Sequence, residues 1–508
     1  MRGRTDQLHH AAARPAGPLP RARRARGRTH RLASALVTVT IMGLAPLALV
    51  GAASSAGAAR TTHPPTPSTS SRASRWSVIP CSQAATLVTV TTDSRLVPGC
   101  TYTGGFDVTS SHVTLDCQHA LVDGTGQGGV GIEVSTPADT DLSGVTIRNC
   151  RVQGFGDGMR ITRTGFRTLA VGQEYVSGLS GVVIEDSTVS DTNGVGIYVD
   201  AYVTDTTIRR VTVTGAGSTA VYLEAGSMGA VVKGDTFLDN GFVEDGPGGS
   251  TVDVNGQQLR EWGTGREGIA VDGSRHNVIT GNTFEGNSAG GVFLYTNCGE
   301  LVDQDPGSWF PRRYPASGNV ITHNTFTGGI DGVWVGSRMG ENVIGMDCSD
   351  PPYYSSGLTR ITLDRAPDNT VKSNSFNDVV YGVRVEDDRA TVTNNTFAGG
   401  DDTHYAVVVG TPYRTSVLAH PVQGSVVTNN RSTIPNPSPF RWVDGQAGST
   451  VKGNTSGGQA VGWCQGEDLP RDPFIFVLAL APQPVGGPIP PTPVLTIPLV
   501  GAQPSCPA

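Results

Sequence analysis

From about residue 79 onward, apolar and other residues alternate in short runs, the period-two pattern of strands with one buried face. One run reads Gly-Φ-x-Φ-x, with Φ apolar. It recurs at Gly131–Ser135, Gly158–Thr162, Gly196–Asp200, Ala220–Glu224, Gly268–Asp272, Gly291–Tyr295, Gly332–Gly336, Gly382–Glu386 and Ala406–Gly410. A second run alternates with it, as in Val278-Ile279-Thr280-Gly281-Asn282-Thr283-Phe284, and returns at Val320–Phe326, Thr370–Phe376 and Thr391–Phe397. Without insertions, successive copies lie roughly 21 to 25 residues apart. That is too short for a strand–helix–strand crossover and suits one solenoid turn of two or three strands. Like strands then stack in register about 4.8 Å apart, so like residues form ladders. Asn282, Asn324, Asn374, Asn395, Asn430 and Asn454 are expected to form a structural asparagine ladder at a turn. Val199, Leu223, Val271, Leu294 and Val335 are expected to stack inside.

The repeat resembles that of the right-handed parallel β-helix family, the pectin-lyase-like superfamily, over about residues 79–460. The resemblance implies an all-β fold: a single right-handed parallel β-helix solenoid with long loop insertions on one face. It also implies a substrate class, since members are mostly secreted lyases, hydrolases, esterases and epimerases of polysaccharides. It does not imply a reaction. The Asp-Pro-His-Asp of alginate epimerases, the Asn-Thr-Asp and Gly-His-Gly of polygalacturonases and the Trp-Ile-Asp-His of pectate lyases do not occur in this chain.

The ends differ from the repeat. Residues 1–58 read as a signal peptide: a basic stretch, an apolar run from Leu32 to Val50, and Ala56-Gly57-Ala58 as a cleavage site. Residues 59–78 form a Ser/Thr/Pro-rich linker, 79–460 the helix, and 461–508 a Pro-rich tail packed on or beyond it. Removing the leader's nine arginines and one acid (net +8) from a chain of net −7 leaves a body of net −15. Such a body does not suit nucleic acid or an anionic membrane surface. The expectation is therefore a secreted, extracellular monomer without stable membrane insertion after cleavage. All eight cysteines follow the leader, and an even count in an exported chain suggests disulfides. Pairing of neighbours is expected, because a solenoid joins only adjacent coils: Cys81–Cys100, Cys117–Cys150, Cys298–Cys348 and Cys464–Cys506.

Stacking the first motif puts its outward residues in two columns. One reads Glu133, Arg160, Tyr198, Tyr222, Ala270, Phe293, Trp334, Arg384, Val408; the other reads Ser135, Thr162, Asp200, Glu224, Asp272, Tyr295, Gly336, Glu386, Gly410. Sugar rings stack on aromatics, and carboxylates beside them can bind hydroxyls or exchange protons. Asp200, Glu224 and Asp272 are thus the candidate catalytic residues. Tyr198, Tyr222, Phe293, Tyr295 and Trp334 are the candidate sugar platform. The largest departures from the repeat length, residues 238–265, 296–318 and 337–368, fall at these same rungs. With Arg266 and Arg275 near Asp272, Arg312 and Arg338 in the insertions suggest an anionic group to be held, though pairing with nearby acids fits equally. No metal is required, although an acidic ladder could hold Ca²⁺.

Two mechanisms compete. A glycosidase uses two carboxylates about 5 Å apart for retention or about 6.5–9.5 Å apart for inversion, spacings that neighbouring rungs offer. A uronate lyase needs a base and a cation. The only lysines after the leader, Lys233, Lys372 and Lys452, all lie on the second motif. Hydrolysis is therefore favoured. The alternative is a non-catalytic glycan-binding or cell-surface solenoid.

Overall fold

A computed structural model describes residues 76–126, 128–242, 265–296, 313–336, 365–411, 421–443 and 448–461. It describes the backbone alone of 245–254, 257–264, 354–355, 360–361 and 464–465. Most strands form three sheets of 13 strands each, in which strands pair in parallel with their counterparts one turn away, except that Gln459–Ala460 closes one sheet antiparallel to Thr455–Ser456. The front sheet holds the first motif. Its strands include Ile197–Val199, Val221–Leu223, Glu267–Asp272, Gly290–Tyr295 and Asp331–Val335, paired so that Val199, Leu223, Val271, Leu294 and Val335 lie in one row. All five are buried, as the alternation predicts.

The second motif is not one strand but two. Val278–Thr280 belongs to one sheet and Thr283–Glu285 to another. Between them the chain turns through a left-handed residue, Gly281 at φ 67°. His323, Ser373, Asn394 and Asn429 repeat this turn at φ 56–57°. The residue after the turn is the ladder asparagine. Each ladder Nδ2 donates to the next Oδ1, from Asn282 to Asn324 at 3.1 Å through Asn430 to Asn454 at 3.0 Å. Two further asparagine ladders went unpredicted: Asn277–Asn319–Asn369, and Asn240–Asn287. Inside, Phe284, Phe326, Phe376 and Phe397 stack with centroids 4.7–4.8 Å apart. This is the spacing that the rungs impose.

At the N-terminal end Cys81–Cys100 and Cys117–Cys150 are bonded, as neighbour pairing requires. Such bonds mark an exported protein. Cys298, Cys348 and Cys506 lie outside the described residues, and Cys464 is described by its backbone alone. The first insertion contains an antiparallel hairpin, Asp245–Val254 with Gln257–Thr264. The third contains a shorter one, Tyr354–Ser355 with Arg360–Ile361. A loop that the repeat count missed follows Thr164. Through Phe166 and Tyr175 it packs against Tyr202, Ala225 and Tyr314. Among the described residues no helix is long and apolar enough to cross a membrane.

Candidate functional site

The outward columns of the front sheet do not stand open to solvent, as the alternation alone suggested. Asp200 is 1% exposed, Glu224 6% and Asp272 0%. The reason lies in the rung spacing. Unlike polar side chains one rung apart are within reach of each other, so their heads turn to protein partners. The pairing follows a diagonal. A second-column residue meets the first-column residue one rung toward the N-terminus. The Ser135 hydroxyl donates to Asp107 Oδ1 at 2.7 Å. Arg160 makes a bidentate pair with Asp200, both bonds 3.0 Å. The Tyr198 hydroxyl donates to Glu224. The Tyr222 hydroxyl donates to Asp272 Oδ2 at 2.8 Å.

Burial and charge act together along this diagonal. Burial pushes the Asp200 carboxyl up, and the Arg160 ion pair only partly offsets it. Burial opposes the Arg160 charge, but Asp200 outweighs that and holds the guanidinium above its ordinary value. The Tyr198 and Tyr222 phenols are pushed well up, first by burial and then by Glu224 and Asp272. Toward the N-terminus the column opens. Glu133 is half-buried opposite Asp107, in register with it and with Arg160. Burial raises Glu133, and the Asp107 charge adds to it. Asp107 is raised by its own burial, against the Ser135 hydrogen bond.

The aromatic platform requires correction. Tyr222, Phe293, Tyr295 and Trp334 are buried, and Tyr198 is half-buried. They pack on one another: Tyr198 and Tyr222 stack at 5.0 Å, and Phe293 meets Trp334 edge-on at 5.5 Å. Rings in register on adjacent rungs cover each other's faces, which leaves little face for a sugar.

The arginines divide. Arg266 bonds Glu267 and the Tyr295 hydroxyl, which itself donates to Glu267 Oε1 at 3.0 Å. Arg275 does not join the acids. Its guanidinium lies 4.1 Å from the Tyr314 ring centroid, beside Tyr175. Arg312 and Arg338 lie outside the described residues.

Sequence reasoning missed several members of this face. Asp107 sits in Phe106-Asp107-Val108, an alternating triplet without the leading glycine. Glu267 precedes its motif glycine and was legible only as a sequence neighbour of Asp272. Asp331, Arg384 and Glu386 form a second buried ion cluster, with Arg384 bonding Asp331 at 3.1 Å and Glu386 at 2.6 Å. Arg384 and Glu386 were visible in the columns, and their two-residue spacing was the signal. Among the described residues no group of three or more His, Cys, Asp and Glu side chains is disposed to hold a metal ion. Arg160 takes both oxygens of Asp200, and the phenols take one oxygen each of Glu224 and Asp272.

A family model described as right-handed β-helix region matches residues 97–259. A second, described as periplasmic copper-binding protein (NosD), matches residues 244–417. No curated protein matches the chain significantly. Among solved structures, the catalytic domain of an α-1,3-glucanase in complex with nigerose is 12% identical, with 75% of this chain and 63% of that chain covered and a TM-score of 0.41. This chain thus spans less than two thirds of that domain. An alginate lyase from Paenibacillus sp. is 13% identical, with 75% and 98% covered and a TM-score of 0.36. The A-module of the Azotobacter vinelandii mannuronan C-5 epimerase is 13% identical, with 74% and 87% covered and a TM-score of 0.39.

Proposed function

This chain belongs to the right-handed parallel β-helix repeat family, and on that premise we propose that it is a secreted, monomeric enzyme that cleaves a polysaccharide by hydrolysis. The observation that carries the reading is the diagonal itself. Three carboxylates, Asp200, Glu224 and Asp272, occupy consecutive rungs of one face, each oriented by an arginine or a tyrosine of the neighbouring rung. Rungs about 4.8 Å apart put neighbouring carboxylates near the separation for retention. Burial pushes the Asp200 carboxyl up while Arg160 holds both its oxygens, so the three acids sit in different surroundings, as a pair with separate acid and base roles requires. Glu133, Arg160 and Tyr198 are the half-buried edge through which a glycan reaches this cluster.

Elimination fits less well. Tyr198 and Tyr222 resist ionisation, so neither is a good base. Arg160, Arg266 and Arg384 are each paired with the protein's own carboxylates, which leaves them poorly placed to neutralise a uronate. Copper, named in the description of the NosD model, finds no donor set of His, Cys, Asp and Glu among the described residues.

A second reading, a non-catalytic glycan-binding solenoid, is favoured by one observation: these carboxylates are buried and already partnered. Incubation of the secreted protein with neutral and acidic glycans separates the readings. Reducing ends without the ultraviolet signal of unsaturated uronates indicate hydrolysis, and both signals together indicate a lyase. Binding with neither signal leaves the solenoid reading.

A further inference from the structure

Asp235 stands where the repeat places asparagine on each of the six following turns, Asn282, Asn324, Asn374, Asn395, Asn430 and Asn454. Each of these amides works in two directions. The Asn282 Oδ1 accepts from the backbone N–H of Asp235 at 2.9 Å, on the preceding turn. Its Nδ2 donates to the Val232 carbonyl at 3.0 Å and to Asn324 Oδ1 at 3.1 Å. Asp235 reproduces only the accepting half. Its Oδ1 takes the Val211 N–H at 2.7 Å. Its Oδ2 stands in for the amide nitrogen, is buried and has no hydrogen-bond partner.

The register pairs Ile208 with Val232, so the repeat aims that oxygen at the Ile208 carbonyl on one side and Asn282 Oδ1 on the other. A carboxylate would point a buried anion at two acceptors. A carboxylic acid supplies the missing donor.

We propose that Asp235 is held as a neutral carboxylic acid, and that its deprotonation loosens the N-terminal end of the asparagine ladder on the turn that carries Glu224. The charged groups nearby do not reverse this. Arg210, on the preceding turn, is engaged by Asp186 and Glu185. The Lys233 side chain is exposed. Burial pushes the Asp235 carboxyl up to about 7, against the opposing pull of the Val211 and Lys233 N–H groups and the Arg210 charge. In the unfolded chain it returns to about 3.9. A group raised on folding contributes stability that is complete below its unfolded value and is lost as pH rises through its folded value.

The test is the thermal midpoint of the full secreted chain and of Asp235→Asn, followed from pH ~3 to pH ~9, on either side of the two values. The midpoints should coincide at the acid end. The variant should then pull ahead through neutrality and hold a constant lead above it. A pH-independent offset, or a variant less stable at every pH, would overturn the proposal. So would failure of the variant to fold, because asparagine is what this corner accepts on six other turns.

Discussion

The asparagine corner and the front face solve the same problem in opposite ways. Both stack polar side chains about 4.8 Å apart in a buried setting. At the corner, identical neutral amides each donate to the next and accept from the one before, so one residue type repeats without penalty. On the front face a column of like carboxylates would repel itself. There the acids are interleaved with arginine and tyrosine, and the pairing runs diagonally between two columns. Uniformity is what a purely structural ladder allows. Departure from it, concentrated between Asp107 and Glu386, is what sets the front face apart.

The largest effect is expected where both regions depend on the shared core. Leu223→Asp would bury an unpaired carboxylate among apolar side chains, at a cost of several kcal/mol. No folded, secreted protein should be recovered. Recovery in normal yield would contradict the register on which both ladders rest.

A smaller effect is expected within the ladder. Asn374→Leu removes the oxygen that accepts from the Asn324 N–H at 2.9 Å and Nδ2 at 3.1 Å. Each buried donor left unpaired costs about 1–3 kcal/mol, read as a lower urea midpoint. An unchanged midpoint would mean that the ladder contributes shape but no stability.

The smallest effect belongs to the exposed version of cross-rung pairing. Arg389 holds Asp368 at 2.6 Å in solvent, and its hydrogen bond and charge lower the Asp368 carboxyl. Asp368→Asn should cost about 0–1 kcal/mol. A lowered carboxyl contributes stability that is lost as pH falls through its folded value, so parent and variant should converge below the ordinary carboxylate range. A difference that persists in acid would show that something other than the charge is at work.

Legibility in the sequence followed the same division. The inward rows, the asparagine ladder and the sites of insertion could be read because they repeat. Strand alternation places Leu223 inside whatever its neighbours are. The break inside the second motif was harder to see. Gly281, His323, Ser373 and Asn394 share only a left-handed backbone, not a side-chain type. The loop after Thr164 escaped because it begins at a motif copy of normal length. On the front face the columns were assigned correctly, but their exposure was not. Alternation tells which way a side chain leaves the strand, and says nothing about partners one rung away. Hence Tyr222 and Trp334, read as a sugar platform, lie against other rings, and Asp107 was passed over.

The central claim is that the acids of the diagonal act on substrate and do not merely brace the sheet. Asp272→Asn addresses it most directly. The amide keeps an oxygen to accept from the Tyr222 hydroxyl, so folding and the thermal midpoint should change little. Turnover on whichever glycan the panel identifies should fall at least ~100-fold, the lower end for loss of a general acid or base. Cleavage at the parent rate would contradict the account and leave the column a structural device.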